Sequence, residues 1–364
     1  MRICYFGIKD RHYPRQRSIS AYLEQQDGTR LDRIYIEPAD GFRRNLAALT
    51  RFVVRSRGRY DAVVLAEFSL QFAVLGWILS RKSKALFVVD WFVGLYETRV
   101  EDYGSHGKVS PQAIAYYCAD FVAARLADLV VTDTEVRAER IQRRYKLRHL
   151  PLTLPVGAPS WANYTRPSRS DKLRVLYYGN YIPLHGVDTF IKGALDASLH
   201  IPLEVTLVGD GPERACAEAV VTSSGANSVC RFSPPVNEEE LAALISAHDI
   251  IVGIFGSSPK ARSVIANKVW QGLACGRCVL TQRSPALDPI RDLFHGLLME
   301  CDPTPGDVSS ELVRIWKTQS INPRTSGAAA AAISGLVEEG LRQLFVQMQV
   351  ARNQSGANVG QECE

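Results

Sequence analysis

Asp249-Ile-Ile-Val-Gly-Ile-Phe-Gly-Ser-Ser-Pro-Lys-Ala-Arg-Ser-Val-Ile-Ala-Asn-Lys-Val-Trp-Gln-Gly-Leu-Ala-Cys-Gly-Arg-Cys-Val-Leu280 holds one complete structural repeat. The apolar run Asp249–Gly253 reads as a strand that ends in a small-residue loop. The loop carries Lys260 and Arg262 and opens into a helix over 264–275 that stops at Gly276, and Cys278–Leu280 reads as the next strand. Strand, loop, helix, strand is the repeat of a parallel α/β sheet. The loop backbone and helix start offer unpaired N–H groups and positive partial charge, with two cations beside them. The stretch therefore predicts an anion site for a phosphorylated ligand, a nucleotide or nucleotide-sugar.

The same alternation extends outward in both directions. Strands are expected at Leu173–Tyr178, Leu203–Val208, Val229–Phe232 and Gly296–Met299, with helices near 187–197, 212–223, 238–247 and 306–317. Before a linker at 161–171, within a Pro-, Ser- and Gly-bearing stretch over 155–171, strands at Arg2–Phe6, Arg33–Ile36, Ala62–Leu65, Ala85–Val89 and Leu129–Val131 alternate with helical patterns. The expected fold class is α/β, with two doubly wound Rossmann-like domains, 1–160 and 172–322, facing a cleft. A long helical pattern at 323–352 is expected to pack back across the domains, and the polar tail 353–364 to be disordered.

The chain has 364 residues with 46% apolar content, and no apolar run approaches the roughly 20 residues needed to span a bilayer. Met1-Arg-Ile-Cys-Tyr-Phe-Gly7 reads as a strand rather than a signal peptide, and the eight cysteines follow no framework spacing. Both point to reduced thiols in the cytoplasm. Residues 1–170 hold 27 Lys+Arg against 17 Asp+Glu, whereas 171–364 hold 16 against 21. A basic first half suits an anionic partner such as a membrane surface or lipid phosphate, or is a solvated Arg-rich surface. A nucleic-acid partner is disfavoured because no aromatic pattern interleaves the basic residues.

Several loops carry candidate chemistry. Tyr178-Gly179-Asn180-Tyr-Ile-Pro-Leu-His185-Gly186 follows the first strand of the second domain, where glycines permit close ligand approach and His185 can donate to a phosphate. Gly209-Asp-Gly211-Pro212 follows the next strand. Either loop also reads as a plain turn, but both end strands of one sheet. Arg231-Phe-Ser-Pro-Pro-Val236 can present backbone groups to a base edge, or is a rigid turn. Asp90, at a strand end in the first domain, reads as a group reaching an acceptor or sugar, or as a cap. Thr134 reads as a helix cap, and Cys275-Gly-Arg-Cys278 lacks the second ligand pair of a metal site.

Gly179…His185-Gly186, Gly209-Asp-Gly-Pro212 and Gln271…Ala274-Cys-Gly276 together resemble the nucleotide-sugar glycosyltransferases of the GT-B fold, family 4-like (glycosyltransferase group 1). The resemblance extends from Arg2 to about residue 300. Gly253-Ile-Phe-Gly256, Lys260-Ala261, Asn267-Lys-Val269 and Leu95-Tyr-Glu-Thr-Arg-Val100 are similar to a bacterial branch of it. It implies transfer of a sugar from a nucleoside diphosphate to a glycan or lipid-linked acceptor in cell-surface polysaccharide or glycoconjugate synthesis. It also implies retention of configuration, no metal, and no cofactor beyond the donor as co-substrate. The expected donor set is Gly179, Asn180, His185, Gly186, Gly209, Gly211, Val236, Ser263, Val264, Lys268 and Gln271, and the expected catalytic residues are Asp90, Lys260 and Arg262. Asn180 and His185 stand where the family has a diphosphate-binding Arg and Lys, and Ser263 and Gln271 where it has paired glutamates. Lys260, Arg262 and Lys268 are candidates to replace the lost charge, with Lys268 also readable as solvent-facing. Those departures keep a non-catalytic binding homologue in view, and a nucleotide-sugar epimerase shares the two-domain plan. The basic first domain extends the expectation to peripheral contact with the inner membrane face.

Overall fold

A computed structural model of the chain describes residues 1–165, 170–318 and 326–361. It divides into two compact units, Met1–Val156 with Val337–Glu364, and Gly157–Leu336. Of the expected linker, residues 166–169 lie outside the described residues, as do 319–325 at the head of the expected last helix.

The first unit runs β1 (Arg2–Ile8), α1 (Pro14–Glu24), β2 (Arg30–Tyr35), α2 (Gly41–Arg55), β3 (Ala62–Leu65), α3 (Ala73–Ser83), β4 (Leu86–Asp90), α4 (Pro111–Leu126), β5 (Leu129–Thr132), α5 (Glu135–Tyr145) and β6 (Leu152–Thr153). The sheet order is β2-β1-β3-β4-β5-β6, and every recorded pairing is parallel. Strand residues alternate between two cores, as a pleat requires. Cys4, Phe6, Val63, Leu65 and Phe87 face α2 to α5, through Leu49, Val53, Leu79, Ala123 and Ile141. Ile3, Tyr5, Ala62, Val64 and Val88 face the other way, onto Ile19 and Leu23 of α1 and onto Leu341, Leu344 and Met348. The caps are local: Pro111 opens α4 behind Ser110, whose side chain accepts from Ala113 N, and Thr134 accepts from Arg137 N to cap α5 as expected.

The second unit runs β7 (Leu173–Tyr178), α6 (Val187–Ala197), β8 (Leu203–Val208), α7 (Arg214–Ser223), β9 (Cys230–Ser233), α8 (Glu238–Ala247), β10 (Ile250–Val252), α9 (Asn267–Ala274), β11 (Cys278–Gln282), α10 (Asp288–Arg291), β12 (Leu298–Cys301) and α11 (Pro305–Thr318). Its parallel sheet has the order β12-β11-β10-β7-β8-β9. The two doubly wound α/β units expected from the sequence are the ones observed. The last helix, α12 (Ser326–Gln361), gives its residues from Val337 onward to the first unit. Helix therefore continues through residues 353–361, where polar composition led us to expect a disordered tail, and 362–364 lie outside the described residues.

Candidate functional site

In the second sheet the chain winds outward from β7 through β8 to β9, then returns to the other side of β7 and continues β10, β11, β12. The winding direction reverses between β7 and β10, and in open α/β sheets a crevice forms at the carboxyl ends of such a strand pair. The loops there are Gly179–Gly186 after β7 and Gly253–Ala266 after β10. They touch backbone to backbone, and Phe255 N donates to His185 O at 2.9 Å. Gly186 has φ +57°, and a Cβ there would collide with the Phe255 carbonyl. Gly209, with φ +125°, would collide with the Gly179 carbonyl in the same way. The sequence suggested that these glycines let a ligand approach; in the structure their lack of a side chain lets the loops after β7, β8 and β10 pack on one another.

Lys268 lies inside this junction. It is the second residue of α9, only 4% exposed, and its Nζ has no hydrogen-bond partner. Nζ sits 4.2 Å from the centre of the Tyr177 ring. A Cβ on Gly179 would come within 3.6 Å of Nζ and 3.3 Å of the His185 ring. The reading of Lys268 as solvent-facing is thus replaced by a buried one. Tyr177 Oη donates to the Asn180 carbonyl at 3.0 Å and lies 2.8 Å from His185 Nδ1. The Tyr177 hydroxyl thus ties the His185 ring to the Asn180 carbonyl. Burial, then the charges of Lys268 and Lys260, hold the His185 pKa well below its usual value. Burial alone holds the Lys268 pKa well below that of an ordinary lysine.

Two helix N-termini open at the junction without a side-chain cap, α6 behind Gly186 and α9 behind Ala266. By contrast, α8 has a full capping box between Asn237 and Glu240. Uncapped first-turn N–H groups attract anions. In mid-α9, Gln271 is buried, and its Oε1 accepts from Tyr178 Oη at 2.6 Å. Sequence reasoning missed Tyr177 and Tyr178. The signal lay in two adjacent hydroxyl-bearing aromatics at a strand end, immediately before Gly179.

The remaining expected donor residues divide. Lys260 is 7% exposed, and its carbonyl accepts from both Ser263 N and Ser263 Oγ, at 2.9 and 3.0 Å. Ser263 is buried, with its hydroxyl committed to that bond. Arg262 turns elsewhere, lining an open groove with Arg283, Ser284, Asp288 and Arg291. Val264 packs into the apolar floor of the loop with Ile254 and Ala261. Asn180 is exposed, with its carbonyl taking the Tyr177 hydroxyl and Ile182 N. Gly211 stands against the Tyr181 backbone in the loop after β8. Val236 lies past the edge strand β9, with β8 between that strand and β7. Cys275 and Cys278 are both buried, which pushes their thiol pKa values up to about 11 and 12. Among the described residues, no group of three or more His, Cys, Asp or Glu could hold a metal ion.

In the first unit, Asp90 ends β4 as expected but is 1% exposed and bound to Arg15. Arg15 Nε lies 2.9 and 2.8 Å from its two oxygens, and Arg15 Nη1 donates to Leu154 O at 2.6 Å. This corrects the reading of Asp90 as a group reaching an acceptor: the carboxylate is consumed by a buried ion pair whose partner is 75 residues away in sequence. Around the pair lie other buried polar atoms without partners: Arg15 Nη2, Glu67 Oε1 and Asp133 Oδ2. Arg137 links Asp133 and Glu97, each at 2.9 Å.

Comparison with known proteins places this geometry. The sequence model of the family described as Glycosyl transferases group 1 matches residues 172–318. Among solved structures, Anabaena HepE in complex with UDP and glucose is 14% identical, with TM-score 0.69 over 96% of this chain and all of its own. Sucrose-phosphate synthase from Thermosynechococcus elongatus is 16% identical, with TM-score 0.65 over 99% of this chain and 98% of its own. A glycosyltransferase from Rickettsia africae is 11% identical, with TM-score 0.66 over 96% and 98%. At these identities the likeness establishes the fold, the GT-B pair of Rossmann-like units. Among curated proteins, none matches the chain.

Proposed function

We propose that this chain, whose residues 172–318 match the family model of the group 1 glycosyltransferases, transfers a sugar from a nucleoside diphosphate, UDP in the first instance, to a glycan or lipid-linked acceptor held by the first unit. The observation that carries the reading is Lys268. A buried amine without an anion, between two uncapped helix starts at a topological switch point, is a cradle for a diphosphate. UDP is put first because HepE was solved with it.

In this reading the diphosphate lies against the first turns of α6 and α9, with Lys268 and Lys260 supplying charge. The NH2 end of Gln271, whose oxygen is taken by Tyr178, is offered to a donor hydroxyl. As the bond from sugar to phosphate breaks, negative charge builds on the departing diphosphate. Preorganised donors there each contribute on the order of 10²–10³ in rate. Retention without a metal or further cofactor follows from the family pattern, and so does a place in cell-surface glycoconjugate synthesis. Asp90 takes part indirectly, by fixing Arg15 at the carboxyl edge of the first sheet. The acceptor side includes contact with an anionic membrane through the basic first unit.

The test is thermal stabilisation by UDP, GDP, ADP and dTDP, each with and without a sugar. A bound ligand at 100 times its dissociation constant adds about 2.7 kcal/mol, a readily measured rise in midpoint. Lack of any rise with all of them overturns the reading. One observation favours a second reading, a binding homologue without catalysis. Ser263, at the position of a sugar-holding glutamate, has its hydroxyl committed to Lys260 O. Tight nucleotide-sugar binding with neither hydrolysis nor transfer across a broad acceptor panel would select it.

A further inference from the structure

The junction between the loops after β7 and β10 is rich in nitrogen and poor in negative charge. The elements that meet at this junction bring the following groups to it. From β7 comes Tyr177, whose ring lies under the amine and whose hydroxyl is tied to Asn180 and His185. From the loop after β7 comes His185, with Nδ1 2.8 Å from the Tyr177 hydroxyl. From the loop after β10 comes Lys260, whose charge reaches His185. From α9 itself comes Gln271, an uncharged amide already bonded to Tyr178. None of these is a carboxylate. A dry ammonium without a counter-charge is costly, and a protein relieves the cost by releasing the proton. A diphosphate supplies the missing counter-charge and reverses that balance.

We infer that Lys268 is an uncharged amine while the site is empty and takes up one proton from solvent when a nucleoside diphosphate binds, so that donor binding and protonation are a single coupled step. The inference rests on the donor reading of the same site. It is supported by the burial of Lys268, by the lack of a hydrogen-bond partner at its Nζ, and by its pKa, which burial holds well below that of an ordinary lysine. In the step, the amine lone pair takes a proton from water or buffer, and no bond of the ligand is made or broken. The chemistry of transfer makes the coupling useful. When the bond from sugar to phosphate breaks, the departing diphosphate gains one negative charge. An ammonium formed on donor binding is already in place to meet it. Release of the free diphosphate then returns the proton to solvent.

The experiment is titration calorimetry of the full chain with UDP, GDP, ADP and dTDP, in buffers of high and low ionisation enthalpy. At about pH 8.5 the free nucleotides carry no titrating phosphate proton, so heat from the buffer reports the protein. The expected result is uptake of about one proton per nucleotide, with affinity falling about tenfold per pH unit through the alkaline range. Lys268→Met should abolish the uptake and flatten the pH dependence. It replaces an unpartnered buried nitrogen with an apolar group, so folding is not at risk, and the wild-type result stands without it. His185→Gln should keep the uptake. Binding with no proton uptake, or uptake that survives in Lys268→Met, overturns the inference and leaves the donor reading intact. Failure of all four nucleotides to bind overturns both.

Discussion

Glu67 shows at the scale of one residue how far burial sets the chemistry of the first unit. It is fully buried two residues past the end of β3, where Tyr5 Oη donates to Oε2 at 3.2 Å. Burial, then the nearby charge of Asp90, push its pKa up to about 8 from an ordinary 4.5. The folded state therefore holds a proton that the unfolded chain has lost. Stability from this group is complete below the unfolded value and is lost as pH rises through about 8. Asp120, raised to about 7 mainly by burial, acts in the same direction. Glu67→Gln keeps the shape and a hydrogen bond to Tyr5 but cannot ionise. Its thermal midpoint should fall less than that of the wild type between acid and mildly alkaline pH, with the Asp120 contribution common to both. Parallel curves for the two proteins would show that Glu67 stays charged.

At the scale of elements, α9 gives up helix stability to leave its first turn open. Ala266 precedes it in extended geometry, φ −65° and ψ 147°, which suits a capping residue, yet it has no side chain to cap with. Ala266→Asp should supply the missing acceptor and stabilise the ligand-free protein by about 1 kcal/mol. It also places a carboxylate where the diphosphate is proposed to lie. Nucleotide affinity should fall by at least about tenfold, roughly the energy of a single charge at a partly buried helix end. Ala266→Asn caps without the charge, so it should stabilise equally and lose less affinity. If Ala266→Asp binds UDP as tightly as the wild type, the α9 terminus is not the phosphate site. The elements themselves were legible: α6 and α8 occupy the spans that periodicity predicts. The helix α9 begins at Asn267 rather than 264, because a turn ends at Ser263 and the chain runs non-helically through 264–266, which the apolar pattern does not distinguish from a first helical turn. The two-residue β6 offers no period to detect. Asp90 was misread because its partner, Arg15, comes from a distant helix, and single-sequence patterns do not report such pairs. Lys268 was ambiguous because helical spacing does not reveal that nearly all of an eight-residue helix is buried.

At the scale of the whole molecule, the charge asymmetry of the sequence acquires a surface. Helix α2 packs beside α3, and α3 beside α4, on one face of the first sheet. Their outer side carries exposed Phe42, Val54, Val74, Ile114, Phe121 and Val122. Arg43, Arg44, Arg51, Arg55, Arg81 and Arg125 are exposed on the same helices. No helix of the described residues is long and apolar enough to cross a membrane. Apolar side chains set among arginines suit the interface of an anionic bilayer, where each basic residue contributes about 1 kcal/mol. The protein should co-sediment with vesicles containing phosphatidylserine and much less with neutral phosphatidylcholine, and salt should weaken the association. Ile114→Asp with Phe121→Asp places two carboxylates on exposed α4 positions without touching its buried face. The pair should release the protein from anionic vesicles while leaving UDP-induced thermal stabilisation unchanged, since those positions lie in the first unit and the proposed nucleotide site in the second. Equal binding to neutral and anionic vesicles, or no binding to either, removes the membrane from the proposal. A mass that doubles with concentration in the wild type and not in the variant would assign the same face to a second copy of the chain.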